Sequence, residues 1–426
     1  MLAAIIVCTG CGGSGTTTTG GTQAPTPTPT PADTVTVTFT SAAQPAAAAT
    51  QIGSGVWTAA PLQNNTVALS LPHGTTTYGV AYSCSYKVIP GPFQLVYEFV
   101  IEANVADGTA YDIACPVDPS ARTSTAVLSG NVDAIPGTVF TEITTDFGLL
   151  TVGNGTGNFN VDTRLYDGVR DIALIPLNAP NFPLAIKIVR NQTIPGPVNG
   201  GDPIVLAASD EMTTQTISVT GIPTGYNQYP SVRANYVTAG ETQIDVGGIY
   251  ATQYAVVPAS EAQAGDRYVF TAEDADENLL SSTIYGEGMN VSQLTTTAGP
   301  VTMALPAPWN SAVAPGPAQY PNFQITYAGF TGIGAEKLAD TVLLSWSTIN
   351  EENTLTVVAT AAYLNGSTTV AIPNLSSVPG FSGMSASGSQ VYWTEQVTGG
   401  TYFPFEVPPI SGSQASVNAT GYYTQP

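Results

Sequence analysis

Prolines are spread along the whole chain and restrict it to short elements. The 426 residues include 33 Pro and 43 Gly. Proline lacks a backbone N–H and its ring clashes inside a helix, so long helices are not expected. Between these residues apolar side chains alternate with polar ones, as at Val35, Val37 and Phe39, which are separated by threonines. This period of two is typical of half-buried strands, so the sequence predicts an all-β protein.

Turn signals about every eight to twelve residues indicate tandem antiparallel β-sandwiches. A chain of this length has room for about two to four domains, each with its own core. The predicted units are a signal-peptide remnant (1–10), a flexible linker (11–33), β-sandwich 1 (34–119), β-sandwich 2 (120–211), β-sandwich 3 (212–310), a Pro-rich linker (311–321) and β-sandwich 4 (322–426). The first two sandwiches share an order of strand and turn signals, which suggests a degenerate repeat of about ninety residues.

Two dipeptides and one short segment carry more local predictions. Asp107-Gly108 and Asn365-Gly366 are tight-turn signals, and the second predicts a hairpin between residues 359–363 and 368–372. Residues 335–340 are the one short stretch with helical character. Everything else in the body of the chain is predicted to be strand or turn.

The charge balance excludes one class of partner. Charged residues make up only 9% of the chain, against roughly 25% in average globular proteins, and the net charge is −21. Phosphate binding needs clustered Lys and Arg, so nucleic acid is not expected as a partner. After the N-terminus no apolar run reaches about eighteen residues, so no membrane-spanning helix is predicted.

The N-terminus has the composition of an export signal. Residues 1–7 are nearly all apolar, and Thr9-Gly10 places two small residues before Cys11. This resembles the lipobox of bacterial lipoproteins, in which the matching cysteine is lipidated and the chain is cut just before it. The resemblance implies a lipid anchor on Cys11 at the bacterial outer membrane or cell surface. The alternative is an N-terminus that carries two incidental cysteines.

The linker after Cys11 changes character along its length. Residues 12–21 are rich in Gly and Thr, and residues 24–31 repeat Thr-Pro. The first part is expected to be flexible and the second an extended spacer. Such a linker would hold a folded body away from a membrane.

A further resemblance comes from the second unit. Gly157-Asn158-Phe159-Asn160-Val161 is followed by a turn and the apolar segment 169–174. This order is similar to the immunoglobulin-like and transthyretin-like sandwiches of bacterial surface proteins. The likeness bears on the fold and not on an activity.

Cys84 and Cys115 lie in strand-like sequence and are expected to form a disulfide. An exported protein meets an oxidising compartment, where paired cysteines are stable as disulfides. A metal site is the rival interpretation. It is disfavoured because the two thiols lack the close spacing of zinc ligand pairs and His73 is the only histidine.

No catalytic residues are predicted, and no cofactor is expected. Hydrolases with a histidine base would have to use His73, which lies in a Pro-Gly turn. Asp274, Asp276 and Asn278 have an alternating spacing of oxygen ligands that can hold Ca²⁺. The competing interpretation is a solvated acidic turn between strands. Glycoside chemistry needs only a pair of carboxylates, and thirty acidic residues make such pairs unspecific.

Aromatic pairs are the best lead to a ligand, because exposed rings can stack on sugars. They are Tyr226 with Tyr229, Tyr392-Trp393, Tyr402-Phe403 and Tyr422-Tyr423, and alternation assigns about half of these rings to cores. The sequence favours a non-enzymatic surface lipoprotein with a structural, adhesive or interaction role, whose partners are the membrane and surface proteins or polysaccharide. The alternatives are a carbohydrate- or cell-wall-binding module or carbohydrate-active enzyme, and a subunit of a surface fibre or layer, which exposed strand edges would favour.

Overall fold

The structure, a computed structural model, confirms the all-β prediction. It describes residues 33–40, 44–87, 93–115, 124–145, 148–152, 156–165, 167–179, 181–224, 226, 230–248, 251–276, 284–309, 311–327 and 336–426. Its described helices are α1 (Ala361–Leu364) and two 3-10 helices, Val198–Gly201 and Ala208–Asp210. None of these helices has the length or apolar character to cross a membrane.

The strands fall into four consecutive sets. The first set is β1 (Thr34–Phe39), β2 (Ala47–Ile52), β3 (Thr58–Ala59), β4 (Thr66–Ser70), β5 (Thr77–Lys87), β6 (Gln94–Asn104) and β7 (Ala110–Ile113). The second set is β8 (Ser124–Val132), β9 (Phe140–Thr145), β10 (Gly148–Val152), β11 (Gly157–Leu165), β12 (Gly168–Leu177), β13 (Lys187–Ile194) and β14 (Ile204–Leu206). 

The other two sets follow in the second half of the chain. The third set is β15 (Thr213–Thr220), β16 (Ser231–Val237), β17 (Gln243–Asp245), β18 (Gln253–Val256), β19 (Arg267–Asp276), β20 (Ile284–Thr295) and β21 (Val301–Ala304). The fourth set is β22 (Asn322–Gln324), β23 (Lys337–Ser347), β24 (Glu351–Thr360), β25 (Thr369–Ala371), β26 (Gln390–Gly400) and β27 (Gly412–Thr424). The four sets lie within the ranges 34–119, 120–211, 212–310 and 322–426.

One topology recurs in these sets. In the first three, the first strand lies in the middle of a three-stranded sheet, antiparallel to the fourth strand and parallel to the seventh, with the orders β4-β1-β7, β11-β8-β14 and β18-β15-β21. The corresponding pair in the fourth set is β22 with β25. The remaining strands of each set form a four-stranded layer with the orders β3-β2-β5-β6, β10-β9-β12-β13, β17-β16-β19-β20 and β24-β23-β26-β27.

Three of the four-stranded layers join edge to edge into one sheet of twelve strands. β20 pairs antiparallel with β27, and β24 pairs parallel with β6. The sheet ends at β17 and β3, which are only three and two residues long. The sequence periodicity predicts the strands but carries no information about this pairing between distant sets.

Alternation gives the twelve-stranded sheet two unlike faces. The first, here called the covered face, contains Val100, Val357, Val342, Glu395 and Ala419 in one row across β6, β24, β23, β26 and β27. All five side chains are buried, and the four aliphatic ones belong to the largest hydrophobic core. The opposite face is called the open face.

Among the described residues, a sheet covers the open face only over the first set of strands, whose core also includes Ala339 and Val358 of the fourth set. There Tyr78, Val80, Tyr82 and Ile101 share a core with the β4-β1-β7 sheet. Over the fourth set, the packing sheet β22-β25 lies on the covered side, where the ring centroids of Phe323 and Trp393 are 5.9 Å apart. The first and fourth sets therefore pack on opposite sides of the shared sheet.

Two local predictions in the fourth set are wrong. Residues 337–340 belong to strand β23, because Asp340, Val342 and Leu344 must face the core in register with β24 and β26. Asn365-Gly366 does not connect a hairpin. Asn365 instead adopts a left-handed conformation at the C-cap of α1, and the strands on either side of α1, β24 and β25, belong to different sheets.

The disulfide between Cys84 and Cys115 is present, with the two Cα atoms 5.9 Å apart. Cys84 lies on β5, and Cys115 follows β7, so the bond ties the two layers of the first sandwich. Both cysteines are buried in its core beside Tyr82 and Ile113.

Replacing both cysteines with serine is expected to lower the free energy of unfolding by about 3–4 kcal/mol, because the cross-link restricts the unfolded chain. The two cysteines are 31 residues apart. Urea denaturation under oxidising conditions measures the loss, and reduction of the wild type provides the control. Equal midpoints for the oxidised and reduced wild type would contradict the prediction.

Candidate functional site

The predicted aromatic pairs divide between the two faces of the sheet. Trp393 and Tyr423 are buried on the covered face, whereas the side chains of Tyr392 and Tyr422 are 46% and 37% exposed on the open face. Tyr402 and Phe403 are both buried. Tyr226 is half-buried, and Tyr229 lies outside the described residues. In the pairs Tyr392-Trp393 and Tyr422-Tyr423, one ring reaches solvent because side chains alternate between the two faces along β26 and β27.

Tyr392 and Tyr422 face each other across neighbouring strands. Their ring centroids are 6.4 Å apart with the planes tilted by 58°. The Tyr392 hydroxyl donates a hydrogen bond of 3.1 Å to Oε1 of Gln390, which orients its ring. The two strands hold both rings on one rigid surface.

The row of these tyrosines continues toward the first set of strands. Tyr97, Thr354, Ser345, Tyr392 and Tyr422 lie opposite one another on β6, β24, β23, β26 and β27. Four strand spacings separate Tyr97 from Tyr422, which is about 19 Å. Tyr86 stacks on Tyr97 at 5.9 Å between ring centroids and extends the aromatic surface over β5. We call this surface, from Tyr86 and Tyr97 to Tyr392 and Tyr422, the tyrosine row.

On one side of the tyrosine row the neighbouring residues are uncharged, whereas the row on the other side includes the exposed Glu352. On the uncharged side, the next two rows of the open face over β24, β23, β26 and β27 consist of Thr356, Leu343, Thr394, Thr420, Val358, Thr341, Gln396 and Asn418. Thr356 and Val358 are buried, and the other six are half-buried. Among the described positions of these two rows there is no Lys, Arg, Asp or Glu. In a chain with a net charge of −21, these two rows are locally neutral.

Over β6, β23 and β26 the covered face carries four buried carboxyl groups that sequence reasoning missed. Glu98 and Glu102 lie on β6, Asp340 on β23 and Glu395 on β26, all in the core-facing register. The side chains of Glu395 and Asp340 are diagonal neighbours on adjacent strands. Glu395 is 0% exposed and neither of its oxygens has a hydrogen-bond partner.

Burial raises the pKa of each of these groups. It raises the pKa of Glu395 to about 9, with a further contribution from the nearby Asp340 carboxyl. The pKa of Asp340 rises to about 7 by burial alone. Glu102 and Glu98 also reach about 7, because burial outweighs a hydrogen bond from Tyr363 to Glu102 and one from the Ser382 N–H to Glu98. Protonation therefore makes these side chains compatible with an apolar core.

Asp340 and Glu395 are adjacent carboxyls, but they do not lie in a cleft. Both are buried on the covered face, where Phe323 of the packing layer lies against Trp393 of the sheet, and Asp340 is only 4% exposed. Glycoside hydrolysis needs a pair of carboxyls that flanks a bound sugar. A polysaccharide has no access to this pair in the folded protein.

A second charged cluster joins the second and third sets of strands. The guanidinium of Arg190 contacts Asp171 at 3.2 Å and Asp266 at 2.7 Å, and donates to the Glu261 carbonyl at 2.6 Å. The Tyr236 hydroxyl also donates to Asp266. Burial opposes ionisation of Asp266, but Arg190, Tyr236 and two backbone N–H groups together lower its pKa.

A cavity of about 740 Å³ lies beside this cluster, lined mainly by small and apolar residues near Val257 and Pro258. Its polar lining groups Tyr236, Asp266 and Tyr268 already make internal hydrogen bonds. Apart from Glu211 the cavity wall belongs to the third set, so the Arg190 cluster and not the cavity joins the two sets.

The predicted calcium ligands are only partly within the described structure. Asp274 and Asp276 lie on β19 opposite Met289 and Glu287, and Asn278 lies outside the described residues. Asp274 is buried on a strand, so it is not part of a solvated turn. Across the described parts of the chain, no group of three His, Cys, Asp or Glu side chains could hold a metal ion. The calcium site stays a prediction.

Two other predicted residues are placed as follows. His73 is exposed in the turn between β4 and β5. Cys11 and the linker through residue 32 lie outside the described residues. Lipidation of Cys11 therefore stays a prediction.

Comparison with known proteins gives no family. No protein-family model matches the sequence, and no curated protein matches it significantly.

Proposed function

We propose that this protein is an exported lipoprotein, anchored through Cys11 at the bacterial outer membrane or cell surface, with an adhesive role carried by the open face. The observation that most supports the adhesive role is the tyrosine row. Its Tyr392 and Tyr422 rings are exposed on a sheet whose opposite face is packed, and its Tyr86 and Tyr97 rings are half-buried. Neighbouring exposed aromatic rings, unlike apolar residues scattered singly, are typical of contact sites.

The rest of the chain is consistent with a binding role. The carboxyls with raised pKa values are buried beneath the packing layer rather than placed around the exposed tyrosines. Growth into a fibre through the twelve-stranded sheet is disfavoured, because both edge strands are very short. The Gly/Thr/Pro linker would hold the body away from the membrane.

The proposal is tested in bacterial cells that express the full chain. Membrane fractionation should place the wild type and Cys8→Ser in the membrane, and Cys11→Ser in the soluble fraction, because lipid attachment requires that thiol. An unmodified wild-type N-terminus by intact mass would contradict the anchor.

The adhesive role is measured by retention of the same cells on immobilised cell-envelope material. The double variant Tyr392→Ala and Tyr422→Ala is expected to lose most of the retention, because the rings supply most of the contact area. Val127→Ala, which alters an exposed residue on β8, provides the matched control. Equal retention of the double variant and the wild type would contradict a role for the open face.

A further inference from the structure

We infer that the tyrosine row binds an uncharged polysaccharide chain that lies across the strands of the sheet. This inference rests on the proposed binding role of the open face and adds the chemical class of the ligand. It is argued from the charge, the composition and the shape of the surface.

The charge of the surface excludes polyanions. No cationic side chain lies among the described positions between Tyr97 and Tyr422 or in the two rows beside them. The net charge of −21 would repel an acidic polymer from the whole body. An uncharged ligand needs no cationic side chain and is not repelled by the negative charge of the protein.

The composition favours a sugar over a protein surface. Protein interfaces have an apolar core and are depleted in serine, whereas this patch has Leu343 as its one large aliphatic residue beside Thr394, Thr420, Gln396 and Asn418. These hydroxyls and amides can donate and accept hydrogen bonds, as the hydroxyls of a sugar do. The tyrosine rings offer apolar faces for the C–H surfaces of the sugar and a polar group at the rim.

The shape favours a chain over a single sugar. The row is about 19 Å long, as four strand spacings require. Threonine side chains are stiff at χ1, and the tyrosines stand on paired strands. Little side-chain freedom is therefore lost when an extended ligand binds.

The test uses the full chain and a panel of defined polysaccharides. Sedimentation with cellulose and chitin and affinity electrophoresis in starch probe uncharged ligands, and alginate and heparin probe anionic ones. The wild type is expected to bind at least one uncharged polymer with an affinity that does not change between low and high salt. Tyr392→Ala and Tyr422→Ala should each weaken binding about tenfold, whereas Tyr392→Phe retains the ring and most of the affinity.

Val127→Ala is the matched control, and circular dichroism verifies that every variant is folded. Binding to none of the uncharged polymers, binding to the anionic ones only, or equal binding by the tyrosine variants would overturn the inference. A dimer that depends on Tyr392 in light scattering would assign the row to a second copy and would also overturn it. If cell retention still depends on Tyr392 and Tyr422 in those cases, the adhesive role stands and only the ligand class is wrong.

Discussion

At pH 8, Glu395→Gln is expected to raise the free energy of unfolding by about 3 kcal/mol. The wild-type carboxyl has a pKa of about 9 in the fold, so it must take up a proton that the unfolded chain has lost. A pKa difference contributes about 1.4 kcal/mol per pH unit, hence about 5 kcal/mol at pH 8. The buried amide finds no obvious acceptor, which costs about 1–3 kcal/mol of this gain.

The same shift sets the pH dependence of the wild type. A carboxyl whose pKa is raised by folding contributes stability that is fully present below its unfolded pKa and is lost as pH rises through its folded pKa. The contributions of Glu98, Glu102 and Asp340 to the free energy of unfolding are lost by about pH 7, and that of Glu395 is lost by about pH 9. Wild-type stability should therefore fall between about pH 5 and pH 9, more steeply below about pH 7 than above it.

Thermal and urea unfolding across that pH range measure both effects. Glu395→Gln should flatten the upper part of the profile, because the group that titrates last has been removed. Glu352→Gln, on an exposed position of β24, is the matched control and should change stability by less than about 0.5 kcal/mol. A profile of Glu395→Gln that is parallel to the wild type would show that Glu395 does not titrate late.

Arg190→Gln is expected to lower the free energy of unfolding by about 3–5 kcal/mol, because it leaves two buried carboxylates without their cation. The side chains of Asp171 and Asp266 are only 4% and 3% exposed, and both contact the Arg190 guanidinium. The surviving partners of Asp266, which include Tyr236 and backbone N–H groups, cannot neutralise its charge.

Urea denaturation gives the size of this loss, and hydrogen exchange gives its location. Faster exchange should be confined to β12, β13 and the loop at residues 258–266, where the cluster joins two sets of strands. Arg233→Gln removes an exposed arginine from β16 and should have little effect. A loss of less than about 1 kcal/mol in Arg190→Gln would mean that the carboxylates find other partners.

Alternation in the sequence predicted many strands correctly because it reports burial directly. Val35, Val37 and Phe39 fall on one side of β1, and Val391, Trp393 and Glu395 on one side of β26. The same rule explains why Tyr392 is exposed beside a buried Trp393. The disulfide followed from the oxidising compartment that export implies.

The features that sequence could not provide depend on contacts between distant residues. Nothing in β6 or β24 indicates that they pair, since strand edges carry no sequence code for a parallel neighbour. The carboxyls at Glu98, Glu102, Asp340 and Glu395 were missed because charged residues are almost never buried without a partner. The helix expected at residues 335–340 failed because register with β24 and β26 outweighed local preference.

The pairing of β24 with β6 has a consequence for the order of folding. The two strands are about 250 residues apart in sequence, so at about 5–20 residues per second the first domain would wait roughly 10–50 s for its neighbour to be synthesised. Until then the outer edge of β6 is unpaired and open to other strands. Glu98 and Glu102, which the fourth set buries, would meanwhile stay in water and ionised. Docking of the fourth set must therefore be coupled to proton uptake, and this late step should be faster in mild acid.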